Sequence, residues 1–437
     1  VLFSDTRPGA VTEEAAQDAQ DAEDAARDAE EPTSGDADDF RSGALAPGVA
    51  AVRAYGVRHR LVLEALLAWT LTRLAAAWVV AQCVWLLDDK VPVPGFLDRW
   101  DKWDVRVFRF IAEYGYSGPP NEPGRYEAFF PGLPLMLRVV HLVVSDWVVA
   151  GLLISFVAGG VAVVSLALLV ADGWGPVAGR RAVWAMCLSP LALFLSVGYS
   201  ESLFLAFAFT AVLLARRGQW GFACVAAAGA SSVRVTGFFL AAALAVEFVM
   251  QYAGRGRRLA PRLRSRPHAL KVLWLALPPL PGLVFFWFLQ RRSGTWFRYF
   301  EVQSDGWGRR DIGVPETFRV MWNAAFTPQP GHPDYAFGYR VEITAVAVGL
   351  VLAVVLLLRR RWSEALFVSG PLLLLLPMAT YSSAARTSLT WWPLWAGLGV
   401  LSCHPRWGTL LTRAYLAVSI PSALLLLAAF STWRWAG

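Results

Sequence analysis

Charge is scarce in this sequence. Only 17% of its 437 residues are Asp, Glu, Lys or Arg, whereas 56% are hydrophobic; an ordinary soluble domain carries about 25% charged residues. That deficit argues against a soluble chain and points to lipid as the solvent for most of its length. Lysine is almost missing: of 40 basic residues, only Lys90, Lys102 and Lys271 are lysine. Cysteine is sparse too. Cys83, Cys187, Cys224 and Cys403 lie in or at the ends of apolar segments with no close pairs, which speaks against disulfides and against a cysteine metal site. The histidines, His59, His141, His268, His332 and His404, lack the short-range spacings of a zinc site, so no metal and no cofactor are expected.

What charge there is divides unevenly. Residues 1–50 hold 13 acids and 3 arginines, and the remainder 20 acids against 37 bases. The acidic stretch is rich in Ala, Asp and Glu and nearly free of large apolar residues, so it cannot bury enough surface to offset its ordering entropy. It reads as a disordered cytoplasmic tail ahead of a transmembrane unit, 51–437. It lacks the basic start and apolar core of a signal peptide.

A helix crossing about 30 Å of hydrocarbon needs roughly 20 apolar residues. Candidate spans are 61–87, 148–170, 182–198, 202–215, 219–233, 237–251, 270–290, 341–358, 364–381, 389–402 and 409–430, so the expected fold is all-α and polytopic with 11–12 helices. Short cytoplasmic loops carry the excess of Lys and Arg. Eleven crossings put Arg53, Arg58 and Arg60, Arg180 and Arg181, Arg216 and Arg217, the run from Arg255 to Lys271, Arg359 to Arg361, and Arg406 on that one side. The apolar stretch 129–144 is then a broken or re-entrant segment, which is permissible where it packs against protein. Two long loops, 88–128 (with that stretch behind it) and 291–340, fall outside.

The first loop contains "DRWDKWDVRVFRFIAEYGY". At 100° per residue, Phe110, Trp103, Tyr114, Val107, Trp100 and Ile111 form one arc, opposite Arg109, Lys102, Glu113 and Arg106. This predicts an interfacial helix with its aromatic side in the membrane surface. Asp104 breaks the division, falling between Ile111 and Phe108, and Asp101 falls between Phe108 and Ala112. A carboxylate held against apolar surface becomes a better proton acceptor, although an aspartate here could equally cap the helix.

Other polar residues sit at the same outer face. Glu201, in "GYSESLF", lies between two apolar runs, where an acid is costly unless paired or facing a water-filled cavity. Arg234 and Arg386 are lone arginines at the ends of apolar segments. Arg291, Arg292 and Arg298 stand among aromatic residues. Such arginines snorkel or hold a phosphate.

The segment "WDVRVFRFIAEYGY" followed by "AFFPGLPLML" resembles the PIG-V family of polytopic GT-C glycosyltransferases. Trp103, Asp104, Ile111, Ala112, Gly115, Tyr116, Phe129, Phe130, Pro131 and Pro134 carry that likeness. "YSESLF" from Tyr199 and Arg-Val-Thr-Gly from Arg234 to Gly237 follow in the family's order. Lys102 stands where relatives often have Arg or His, and the loop from Tyr116 to Phe129 is longer than usual.

The resemblance implies a polyprenyl-phosphate-mannose donor, an acceptor hydroxyl on a glycolipid or surface glycan, and inversion at the anomeric carbon, with the membrane lipids as surroundings and no role for nucleic acid. On this reading Asp104 is the base, with Asp101 and Glu201 as further catalytic candidates. Lys102, Trp103, Tyr116, Phe130, Pro131, Tyr199, Arg234 and Arg386 form the binding set. A transporter or flippase for a lipid-linked glycan would share the spans and outer cavity. It should, however, place charged or broken helices near the midplane and often shows an internal repeat, and no repeat is found. A structural partner in a glycan-assembly complex is the third reading.

Overall fold

The computed structural model describes residues 45–87, 95–120, 125–253, 271–327 and 333–432. The acidic stretch before residue 45 and most of the arginine run 255–271 lie outside the described residues. Sixteen α-helices occupy the described residues. In chain order they are α1 Leu45–Leu87, α2 Asp104–Tyr114, α3 Gly132–His141, α4 Trp147–Trp174, α5 Pro176–Cys187, α6 Ser200–Arg216, α7 Trp220–Val233 and α8 Gly237–Ala253. They continue with α9 Leu280–Ser293, α10 Arg298–Trp307, α11 Val314–Phe326, α12 Pro333–Leu358, α13 Trp362–Leu375, α14 Ala384–Ser388, α15 Trp392–Ser402 and α16 Gly408–Ser431.

Among the described residues, five segments are long and apolar enough to cross a membrane: Gly56–Cys83, Trp147–Trp174, Lys271–Ser293, Tyr335–Leu358 and Gly408–Ser431. The apolar stretch of α4 is 67% buried, against 22–33% for the other four, so α4 is the central post and the others turn apolar surface outward. α6 packs on α4 and α7. The outward Leu and Val side chains, such as Leu74, Val351 and Leu425, have no protein to cover them and suit lipid as solvent. This is an all-helical integral membrane protein, as the composition required.

The segment 129–144 does not make a span of its own. Its helix α3 has 10 residues, about 15 Å of rise against about 30 Å of hydrocarbon. A further break separates α5 from α6, where Pro190 interrupts the helix and residues Pro190–Leu195 form a 3-10 turn. Arg73 of α1 answers the carbonyl groups this break releases, donating to Cys187 O at 3.2 Å and Ala192 O at 2.5 Å, and to Ser196 Oγ at 2.9 Å. Backbone groups inside lipid need such internal partners. The break delivers Tyr199, Ser200 and Glu201 to the N-terminal end of α6.

Candidate active site

The first loop enters through a 3-10 turn at Leu97–Arg99, and α2 starts only at Asp104. Trp103, just before it, has φ 50° and ψ −126°, a conformation uncommon for a bulky residue. The helical wheel therefore fails for Trp100 to Trp103, which are not part of α2. It also misses the direction of burial. The buried side of α2 is Val105, Phe108, Ile111 and Ala112, while Tyr114 is exposed. The helix has apolar residues on two sides, and the wheel cannot say which meets protein. Asp104 lies four and seven residues from Phe108 and Ile111, hence on the protein-facing side.

Lys102 is not at the site. Its ammonium is fully buried and donates to Phe430 O at 3.0 Å and Ser431 O at 2.8 Å, satisfying carbonyl groups at the C-terminal end of α16, where a cation is favoured. Asp101 is also engaged elsewhere, by Arg109 at 2.9 Å. At the far end of α2, Arg138 of α3 donates to Ala112 O. The loop helix is thus tied to the bundle at both ends.

Asp104 meets a cation rather than bare apolar surface: its Oδ2 is 2.8 Å from Arg386 Nη2. The same Nη2 is 2.8 Å from Glu201 Oε1, and Arg386 Nε donates to that oxygen at 2.9 Å. Arg234 Nη1 completes the group, donating to Glu201 Oε1 at 2.6 Å and to Ser200 Oγ at 3.1 Å. Glu201 is 1% exposed. Two guanidinium groups make so buried a carboxylate tolerable, and they make Glu201 a clamp rather than a free base. Its Oε2 is buried without a hydrogen-bond partner. The Asp104 side chain keeps 21% exposure, so its carboxylate is the one a substrate could reach.

Aromatic rings form the floor. The Arg386 guanidinium lies 4.7 Å from the Tyr199 ring centroid and 5.1 Å from that of Phe194, and those two rings stack at 5.8 Å. Burial opposes the Arg386 charge, but Glu201 and Asp104 outweigh it and hold the guanidinium above its ordinary pKa.

Tyr116, Phe130 and Pro131 stand beside this cluster as a scaffold. The Tyr116 hydroxyl donates to Phe129 O at 2.8 Å, and burial pushes its pKa up. Phe130 packs between Phe285 of α9 and Tyr299 of α10, at 4.8 and 5.6 Å. Pro131 precedes α3 as its N-cap. Gly132 has a packing reason: a β-carbon there would lie 2.7 Å from Ser232 O, next to Val233 and Arg234. Arg292 bonds Ser117 at 3.0 Å, Arg298 pairs with Glu127 at 3.7 Å, and Arg291 makes no ion pair among the described residues; none of the three joins the cluster.

Two residues were missed. Arg309, whose Nη2 donates to Ser382 O at 3.3 Å, is pushed below the usual guanidinium pKa by burial, with repulsion from Arg386 and Arg234 adding to it. Nothing in its local sequence separates it from neighbouring arginines. Glu342 accepts from the backbone N–H groups of Ser383 and Ala385. Its signal was present, since an acid opening the apolar run of α12 merits the attention given to Glu201.

Among known proteins, residues 91–254 match the family model described as Mannosyltransferase (PIG-V). The GPI alpha-1,6-mannosyltransferase 2 of Cricetulus griseus is 33% identical over 175 residues, covering 38% of this chain and 33% of that protein. The Homo sapiens protein of the same name is 35% identical over 160 residues, covering 33% and 31%. The match thus spans about a third of the length of these curated relatives. Among solved structures, the apo Archaeoglobus fulgidus oligosaccharyltransferase aligns at TM-score 0.42 and 12% identity over 84% of this chain and 56% of that one. ArnT from Cupriavidus metallidurans bound to undecaprenyl phosphate aligns at 0.42 and 13% over 83% and 76%. The segment that holds Asp104, Glu201 and Arg234 is thus similar to the PIG-V mannosyltransferases, in the region where its motifs resemble them.

Proposed function

We propose that this chain is a membrane mannosyltransferase that moves mannose from polyprenyl-phosphate-mannose to a hydroxyl on a glycolipid or surface glycan, with inversion. The observation that carries the reading is the union of Asp104, Glu201, Arg234 and Arg386 in one connected group, from chain regions far apart in sequence. In this mechanism the acceptor oxygen attacks the anomeric carbon and its proton passes to Asp104. The bond from that carbon to the phosphate oxygen breaks, and the lipid phosphate leaves with the electron pair. N–H groups of Arg386 and Arg234 not spent on Glu201 stabilise the departing phosphate. The reaction as written needs no cofactor.

The charge distribution supports a sidedness for this reading. Arg58, Arg180, Arg216, Arg217 and Arg361 gather with Asp172, Glu64 and Glu364 at the end of α6 remote from Glu201. The excess of arginine in cytoplasmic loops supports reading that end as cytoplasmic and the Asp104 site as extracytoplasmic.

The test is transfer by the purified chain in liposomes supplied with labelled polyprenyl-phosphate-mannose and a range of acceptor glycolipids. The expected result is a mannosylated product of opposite anomeric configuration. Donor lipid crossing the bilayer with no product formed would replace this reading with a flippase.

A further inference from the structure

Glu342 stands in α12, within a segment long and apolar enough to cross a membrane, and is 1% exposed. A carboxylate so placed is expensive unless its oxygens are satisfied, so its partners indicate its purpose. Both oxygens are used: Oε1 accepts from Ser383 N–H at 2.9 Å, and Oε2 from Ala385 N–H at 2.8 Å. Those donors open α14, the five-residue helix that carries Arg386.

That helix start has no side-chain cap of its own. Ser383 makes no side-chain capping bond, and its backbone sits at φ 72°, in the left-handed region that non-glycine residues rarely occupy. A conformation of this kind persists only where its surroundings impose it. Glu342 imposes it from a neighbouring helix, doing for α14 what an N-cap residue does for an ordinary one. Other contacts grip the same segment from the second loop. Ile312 N–H donates to Pro377 O at 2.9 Å, Ala379 N–H donates to Arg310 O at 2.7 Å, and Arg309 donates to Ser382 O.

The residue after Ala385 is Arg386, and its task is demanding. One nitrogen, Nη2, must reach Asp104 Oδ2 and Glu201 Oε1 together, each at 2.8 Å. A small displacement of α14 would lose one of the two.

We propose that Glu342 is a positioning residue for the Asp104 site, fixing the Ser383–Ala385 turn so that Arg386 bridges Asp104 and Glu201. This rests on the reading of Asp104 as the base of a mannosyl transfer. Glu342→Gln keeps the size but turns an NH2 group toward a backbone N–H, so one of the two bonds is lost.

Two readouts test it. The first is a double-mutant cycle of Glu342→Gln and Arg386→Lys in liposomes with polyprenyl-phosphate-mannose. Glu342→Gln alone should lower kcat about tenfold, in a type of site where a misplacement of ~1 Å costs ~100-fold. It should leave the donor KM within about twofold, because Glu342 touches no substrate, and the kcat effect should largely vanish in the Arg386→Lys background. An undiminished kcat, or equal losses in both backgrounds, would overturn the inference.

The second readout needs no turnover. Amide hydrogen exchange over 381–388 should quicken in Glu342→Gln while α4 stays as protected as before, and unchanged exchange in that segment would overturn the inference by itself. If the wild-type chain transfers no mannose, the mannosyl reading falls and the exchange result alone decides Glu342. Glu342→Asp, which keeps the charge on a shorter arm, serves in both experiments if the glutamine variant does not fold.

Discussion

One helix, α6, carries a charged cluster at each end, and the two are built from the same parts. At the N-terminal end, Glu201 receives Arg234 and Arg386 over Tyr199 and Phe194. At the other end, Glu364 receives Arg216 and Arg361. Arg216 lies 4.4 Å from the Trp392 ring centroid and Arg361 5.2 Å from that of Trp174. Glu201 and Arg216 are fifteen residues apart, about 22 Å along a helix.

The clusters differ in how they are assembled. Arg361 and Glu364 are helical neighbours, so half of the second cluster is local and suits an anchor at a membrane edge. The first has no local ion pair, and a second carboxylate, Asp104, is brought to it on a loop helix and left partly exposed. The comparison teaches that a buried Glu with two arginines is a structural unit this fold uses twice. On the proposed reading, the added, reachable carboxylate marks the end that would do chemistry.

Several substitutions would break or sharpen this contrast. Arg386→Ala should have the largest effect. It strips a partner from both Asp104 and Glu201, so transfer should disappear, and thermal unfolding in detergent should show a loss of about 3 kcal/mol, the low end for a broken buried pair because Arg234 still holds Glu201. Glu364→Gln should destabilise on a similar scale, about 3 kcal/mol, yet folded molecules should retain transfer. A matching loss of turnover per folded molecule would erase the distinction between the two ends. Lys102→Met should cost about 1–3 kcal/mol, because Phe430 O and Ser431 O lose a buried donor; transfer should fall only modestly, since Asp104 is two residues away. Trp103→Gly should have the smallest effect on stability. It relieves a positive φ while removing a half-exposed ring, so a shift beyond about 1 kcal/mol either way would show that the ring contributes more than its exposure suggests.

The sequence made much of this plain and concealed the rest for physical reasons. The long spans were legible because lipid demands long apolar runs: five of the eleven expected spans are long enough to cross, while others, such as 182–198 broken at Pro190, are short or interrupted helices, and the ordered motifs around Asp104, Tyr199 and Arg234 marked one face. The short α3 agreed with the re-entrant reading of 129–144. Harder to read was which side of α2 faces protein, because both sides are apolar and periodicity reports only that a side exists. Lys102 looked like a binding residue by adjacency, but the positive φ at Trp103 turns the chain between it and Asp104, and no wheel contains such a turn. Glu201 appeared as a lone acid because both its arginines are distant in sequence, 33 and 185 residues away. Arg309 and Glu342 act on Arg386 through the fold alone.

The contrast between the two ends is tested most directly by assaying Asp104→Asn and Glu364→Gln side by side. Both are reconstituted with labelled polyprenyl-phosphate-mannose, and rates are expressed per folded molecule. Loss of a general base should cost Asp104→Asn about 100-fold or more, while Glu364→Gln stays within about twofold of the wild-type chain, as expected of a residue outside the chemistry. Undiminished transfer by a folded Asp104→Asn variant would contradict the account.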